Sequence, residues 1–120
     1  MSLTVGSLLA GYGGLDLAVE DVFPDAEMAW HSEIAPGALK VLRYRFPNAA
    51  ELGDITKINW ASVPRVRIVT AGFPCQDVSG AGLQAGLKAG TRTGLWHEVV
   101  KCIDELRPSL VVLENVRGLL

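Results

Sequence analysis

Apolar residues along the chain alternate between short continuous runs and longer stretches at helical spacing, the pattern of strands and helices taking turns. Leu3 to Leu9 reads as a first strand. The turn Ala10-Gly11-Tyr12-Gly13-Gly14 follows, then a helix with Leu15, Ala18, Val19 and Val22 on one side, closed by Phe23-Pro24. Met28 to Glu33 predicts a second strand. Pro36 suits the first turn of a second helix with Leu39, Leu42 and Phe46 inward, Lys40 and Arg43 outward, and Pro47 as its stop. A short strand near Ala50 to Leu52 leads through Gly53-Asp54-Ile55-Thr56 and a linker with Pro64 to a strand over Val66 to Ala71. The glycine-rich loop Gln76 to Thr91 reads either as a lid or as an ordinary solvated connection. A helix from Thr93 to Leu106 and a strand from Ser109 to Glu114 complete the order.

This alternation predicts an α/β fold, a parallel sheet with helices on both faces. Only Asn115 to Leu120 follow the last strand, so the sheet is expected to be incomplete at the C-terminus, its apolar positions turned to solvent or to a partner.

Composition narrows the classes. With 120 residues, 49% hydrophobic and 20% charged, the chain matches one globular domain. A net charge of −2 and a pI near 5.6 leave no global basic footprint, so any nucleic-acid contact must come from a local patch or from another part of a protein. Without a secretory leader or an apolar stretch of spanning length, the expectation is a soluble protein of the reducing cytoplasm with no membrane contact. Cys102 shares helical spacing with Leu95, Val99, Ile103 and Leu106, opposite His97, Lys101, Asp104 and Glu105, and reads as a core thiol. The scattered cysteines and histidines, His31 and His97 among them, have no metal-ligand spacing, so no metal is expected.

Candidate chemistry gathers where strands end. In Gly72-Phe73-Pro74-Cys75-Gln76-Asp77-Val78-Ser79 a thiol directly follows a buried strand, and Pro74 fixes φ near −65° and stiffens the turn. A free cysteine is more often a small core hydrophobe. What changes the reading is Glu114-Asn115-Val116 at the end of another apolar run: in one parallel sheet, thiol and carboxyl share an edge, where such sheets bind ligands. The glycine turn after the first strand lets backbone approach a ligand closely. Asp16 stands where the third glycine of a dinucleotide fingerprint would fall, and a carboxylate there disfavours a pyrophosphate. Glu33 and Asp54 reach the same edge, one suited to ribose hydroxyls and the other to an exocyclic amine. Together these features suit an adenosine without phosphates.

The constellation resembles the cytosine-C5 DNA methyltransferases across nearly the whole chain. Ser7-Leu8-Leu9-Ala10-Gly11-Tyr12-Gly13-Gly14 is similar to the family's first motif, Glu33 to its ribose-binding acid, and Gly53-Asp54-Ile55 to its adenine-contacting turn. Phe73-Pro74-Cys75-Gln76 resembles the catalytic motif, Arg92-Thr93-Gly94-Leu95 a motif lining the cofactor pocket, and Glu114-Asn115-Val116 the acid motif. The resemblance implies a Rossmann-like methyltransferase fold using S-adenosylmethionine. Cys75 would add to C6 of a flipped-out cytosine while Glu114 supports N3 and the exocyclic amine, and C5 would take the methyl group. It further implies Leu9, Ala10, Gly11, Gly13, Gly14, Glu33, Asp54, Ile55, Phe73, Pro74 and Leu95 around the donor. Gln76, Ser79, Arg92 and Asn115 would meet the substrate.

Two departures stand out. Leu9 replaces the family's usual phenylalanine, removing an aromatic contact, and Arg92-Thr93-Gly94-Leu95 transposes the usual small residues. The later arginine-bearing motif, the target-recognition region and the segment closing the donor pocket are not in these residues. The chain is therefore expected to be the amino-terminal part of the catalytic domain, with double-stranded DNA as partner when complete, and a complementary C-terminal half or self-association at the unfinished sheet. Alternatives are a non-catalytic partner subunit or remnant, and a tRNA cytosine methyltransferase of the same family.

Overall fold

The computed structural model describes residues 3–72 and 92–114. Its strands are β1 (Leu3–Leu8), β2 (Ala26–Ser32), β3 (Ala50–Glu51), β4 (Ile68–Gly72) and β5 (Leu110–Glu114). All pair in parallel, in the order β3-β2-β1-β4-β5. The helices are α1 (Gly14–Val22), α2 (Pro36–Arg45) and α3 (Arg92–Leu106), and two 3-10 turns, Ile55–Lys57 and Trp60–Ser62, occupy the stretch expected to be a linker. This is the α/β fold with a parallel sheet that the alternation predicts, in the Rossmann-like arrangement that the family resemblance implies. From β1 the chain builds outward through β2 and β3, then returns to lay β4 and β5 on the other side. Ligands of open α/β sheets bind at such a reversal.

Each face of the sheet has its own core. On one, Leu8, Trp30, Val69 and Ala71 pack against Leu95, Val99, Cys102 and Leu106 of α3. The fully buried Cys102 thiol is the core residue its spacing predicted, and burial pushes its pKa up to about 12. On the other face, Val5, Met28 and Ile68 meet Val19 of α1 with Leu42 and Phe46 of α2. Trp30 sets the spacing in the middle of the sheet. Its indole lies so close to Gly6 that a Cβ there would fall 2.2 Å from the ring, and its N–H donates to the Pro64 carbonyl at 3.1 Å. A glycine inside a strand marks such a close approach.

Local chemistry explains the element ends. Pro36 opens α2, where its missing N–H is not needed, and the Phe46 N–H closes it on the Leu42 carbonyl. Gly13 caps α1 at φ 81, and a Cβ there would come within 2.8 Å of the Phe46 ring, so both conformation and space call for glycine.

The apolar side expected of α1 needs correction. Val19 is buried, but Ala18 and Val22 face solvent, and the second buried residue is Asp16. At about 3.6 residues per turn, an inward stripe centred on Asp16 and Val19 turns the other two away. On β5, Leu110 and Leu113 are 39% and 40% exposed, in line with the apolar edge expected there. Among the described residues no helix is long and apolar enough to cross a membrane.

Candidate active site

The C-terminal ends of β1, β2, β4 and β5 open onto one cavity of about 1080 Å³, at the upper end of the ligand-pocket range of roughly 300–1000 Å³. Leu9, Ala10, Gly11 and Gly14 contribute from the first turn, Glu33 from the end of β2, Asp54 and Ile55 from the turn after β3, and Gly72, Leu95 and Glu114 from the β4–β5 side. Gly13 stands behind this wall, against α2. Of the other expected site residues, Phe73, Pro74, Cys75, Gln76, Ser79 and Asn115 lie outside the described residues, as does the Gln76 to Thr91 loop. Arg92 is described only as the first residue of α3.

The first turn is held from several sides. Leu9 sits at φ 53, a left-handed conformation for a non-glycine residue, and strain of this kind, roughly 1–3 kcal/mol, clusters at ligand sites. The Ala10 N–H donates to the Ser32 carbonyl at 3.0 Å, the Gly11 N–H donates to Glu33 Oε1 at 2.7 Å, and Arg45 Nη1 donates to the Tyr12 carbonyl at 2.5 Å. Glu33 Oε2 accepts from the Ile34 and Ala35 N–H groups at 2.9 Å each. An ionised carboxylate offers about four lone-pair positions, so Oε1 retains room for a ligand hydroxyl.

Asp54 is prepared in the same way. Its Oδ1 accepts from the Thr56 hydroxyl at 2.7 Å and the Thr56 N–H at 2.9 Å, which together hold it below the usual carboxylate range. Its Oδ2 has no partner among the described residues. Among the described residues nothing stands within 4 Å of where a Cβ would project from Gly11 or Gly53, so the backbone at both turns faces space that a ligand can fill. Ser32 fixes the second of these turns by donating its hydroxyl to the Gly53 carbonyl at 2.8 Å.

A third carboxylate forms part of the wall beneath. Asp16, 2% exposed, accepts from the Ser7 hydroxyl at 2.7 Å and from the Thr70 hydroxyl at 2.5 Å. Burial raises its pKa, and the two hydroxyls act against that rise. From its place in the sequence Asp16 is expected only to repel a pyrophosphate, and neither this clamp nor the places of Ser32 and Ile34 in the wall are anticipated there. Ile34, 66% exposed at the cavity rim, had one usable signal: an apolar residue directly after a strand-end acid.

On the far side Gly72, which ends β4, is in register with Glu114, which ends β5. Four acids line the cavity, Asp16, Glu33, Asp54 and Glu114, and among the described residues no lysine, arginine or histidine does.

Comparison with known proteins agrees with this geometry. Residues 3–120 match the family of C-5 cytosine-specific DNA methylases. The chain belongs to that family. It is 42% identical over 93 residues to the type II methyltransferase M.NgoBV of Neisseria gonorrhoeae, covering 78% of this chain and 22% of that protein. It is 37% identical over 116 residues to M.NlaIV of Neisseria lactamica, covering 93% and 27%. With M.HhaI of Haemophilus parahaemolyticus the identity is 36% over 111 residues, covering 92% and 33%. The chain thus spans about a third or less of the length of these curated relatives.

C-5 DNA methylases use S-adenosylmethionine as methyl donor, and the cavity suits it. Open backbone at Gly11 and Gly53, unfilled acceptor positions on Glu33 and Asp54, and a wall of acids without a cation among the described residues match a phosphate-free nucleoside that carries positive charge.

Proposed function

We propose that these residues are the donor-binding and nucleophile-bearing part of a DNA (cytosine-5)-methyltransferase of type II restriction-modification. The observation that carries the reading is the single cavity onto which Glu33, Asp54, Gly72 and Glu114 all open. In this reading the glycine turn and Ile55 hold the donor's adenosine, Glu33 accepts from its ribose, and Asp54 Oδ2 accepts from its exocyclic amine. When bound, the donor supplies an electrophilic methyl group on a sulfonium. Cys75 adds as a thiolate to C6 of a cytosine flipped out of double-stranded DNA, because C5 is a poor nucleophile until that addition makes it enamine-like. Glu114 supports N3 and the exocyclic amine as charge develops on the ring. Loss of the C5 proton with elimination of Cys75 restores aromaticity. Gln76, Ser79, Arg92 and Asn115 are assigned to the substrate, and choice of a DNA sequence to polypeptide outside these residues.

Trapping tests the assignment. DNA carrying 5-fluorocytosine at the target, incubated with donor, these residues and the complementary polypeptide that supplies target recognition, is expected to give a covalent adduct, because the fluorine blocks the elimination step. Cys75→Ser is expected to give none, and an adduct undiminished in that variant removes Cys75 from the role.

A second reading rests on β5, the outermost strand on its side of the sheet among the described residues, whose Leu110 and Leu113 are exposed. Such a surface fits a complementary polypeptide segment or a second copy of the chain. Sedimentation of a cooperative monomer over a range of concentrations argues against self-association there.

A further inference from the structure

We infer that Asp16 is a specificity-determining residue that makes the cavity favour a positively charged ligand, the sulfonium donor, over the uncharged thioether left after methyl transfer. The inference rests on the donor reading given above and assigns a role to a residue that reading does not use.

Glu33 and Asp54 lie on the β2–β3 side, while Gly72 and Glu114 lie on the β4–β5 side. A ligand whose adenosine end is held by the first pair and whose other end reaches the second crosses the gap between β1 and β4. Asp16 spans that gap from below, accepting from Ser7 on β1 and from Thr70 on β4. Ser7, Asp16 and Thr70 all belong to the cavity lining.

Charge is the second step. Both hydroxyls donate, one to each carboxylate oxygen, an arrangement that serves the anion; a protonated carboxyl would have to turn one of them into an acceptor. No lysine, arginine or histidine among the described lining residues balances the negative charge. At 2% exposure Asp16 is removed from water, so its field on a nearby charge is screened far less than that of a surface carboxylate. Each of its carboxylate oxygens is engaged by one of the two hydroxyls. Asp16 therefore acts through space, on charge and not on shape, and donor and product differ at the sulfur by one methyl group and one positive charge.

Calorimetric titration of the protein and its Asp16→Asn variant with S-adenosylmethionine and with S-adenosylhomocysteine tests this. The expected result is a fall of about tenfold in the ratio of donor to product affinity, equal to about 1.4 kcal/mol, with product affinity nearly unchanged. Ser7→Ala, which keeps the carboxyl and removes one hydroxyl supporting the anion, is the second variant should Asp16→Asn fail to fold, and it is expected to lower the same ratio by less. Equal losses for both ligands would mean that Asp16 only holds the sheet together, and an unchanged ratio in a folded variant equally overturns the inference. Should the parent protein bind neither ligand, the donor reading itself fails, a result distinct from either of these.

Discussion

The two flanks of the cavity carry the same functional group in opposite settings. On the β2 side, Glu33 accepts from three backbone N–H groups and is half-buried. At the end of β5, Glu114 is exposed, and its carboxylate accepts no hydrogen bond from the described residues. A carboxylate anchored to backbone keeps its shape before any ligand arrives, whereas one with open lone pairs can take up a substrate ring. In the proposed function this contrast would separate binding from chemistry: pre-organisation on one flank would lower the ordering cost of holding a donor, and the other flank would leave its acid available to a base entering from DNA.

Replacing the open acid is expected to have the largest effect. Glu114→Gln should slow methyl transfer by about 10²- to 10⁴-fold, the range for a positioned acid or base, and leave donor affinity as it was. Single-turnover transfer and calorimetry of the same preparation separate the two quantities. A parallel loss of affinity would show that the flanks are not independent.

The next test acts on the strand both flanks share. Gly6→Ala places a Cβ 2.2 Å from the Trp30 ring, which is fully buried and cannot retreat without disturbing the core it shares with Leu8, Val69 and α3. Overpacking of this kind destabilises by roughly 1–3 kcal/mol. Urea unfolding should show a lower midpoint with an unchanged slope, and a midpoint equal to the parent's would mean that the sheet can shift to accept the methyl group.

Glu33→Ala probes the anchored acid. Loss of a charged hydrogen bond is expected to weaken donor binding by roughly 1–3 kcal/mol. Unlike Glu114→Gln, it should also lower stability, because the Gly11, Ile34 and Ala35 N–H groups lose their acceptor. Affinity that falls with no change in melting temperature would assign the residue to ligand alone.

These flanks were unequally legible in the sequence. Glu33 and Asp54 could be placed because one closes the stretch Met28 to Glu33 that reads as a strand and the other follows Ala50 to Leu52 across a single glycine, and a strand end is a local signal. The bounds of α2 followed from Pro36 and Pro47 for the same reason, since proline acts on its immediate neighbours. Asp16 could not be read. Its partners are nine and 54 residues away, and its burial depends on β4 lying beside β1, a pairing that no local pattern specifies. The same limit applies to α1: its composition proposed an inward Val22, and tertiary contacts selected an inward Asp16. Leu9 at φ 53 carries no sequence signal either, since leucine ordinarily avoids that region.

The smallest expected effect concerns a residue behind the anchored flank. His31 on β2 is 1% exposed, and neither ring nitrogen has a hydrogen-bond partner among the described residues. Burial holds its pKa below the ordinary value of 6.5; Glu51 on β3 and Glu33 favour the charged ring, while Arg43 on α2 opposes it. The unfolded chain therefore takes up a proton that the folded chain refuses, so stability is full above pH 6.5 and falls as the pH drops toward the folded pKa. Each pH unit in that window removes at most about 1.4 kcal/mol. Asp54 and Glu51, both shifted down, add losses only below their ordinary values of 3.8 and 4.5. Asp16 and Glu20, shifted up, have the opposite sign and return stability as the pH falls through their folded values. Thermal unfolding from about pH 7.5 to 5.5 should accordingly show a decline in the parent that His31→Leu flattens, because leucine removes the ionisation and both unpaired nitrogens. Equal slopes in the two proteins would place the proton uptake on another group and leave His31 as packing alone.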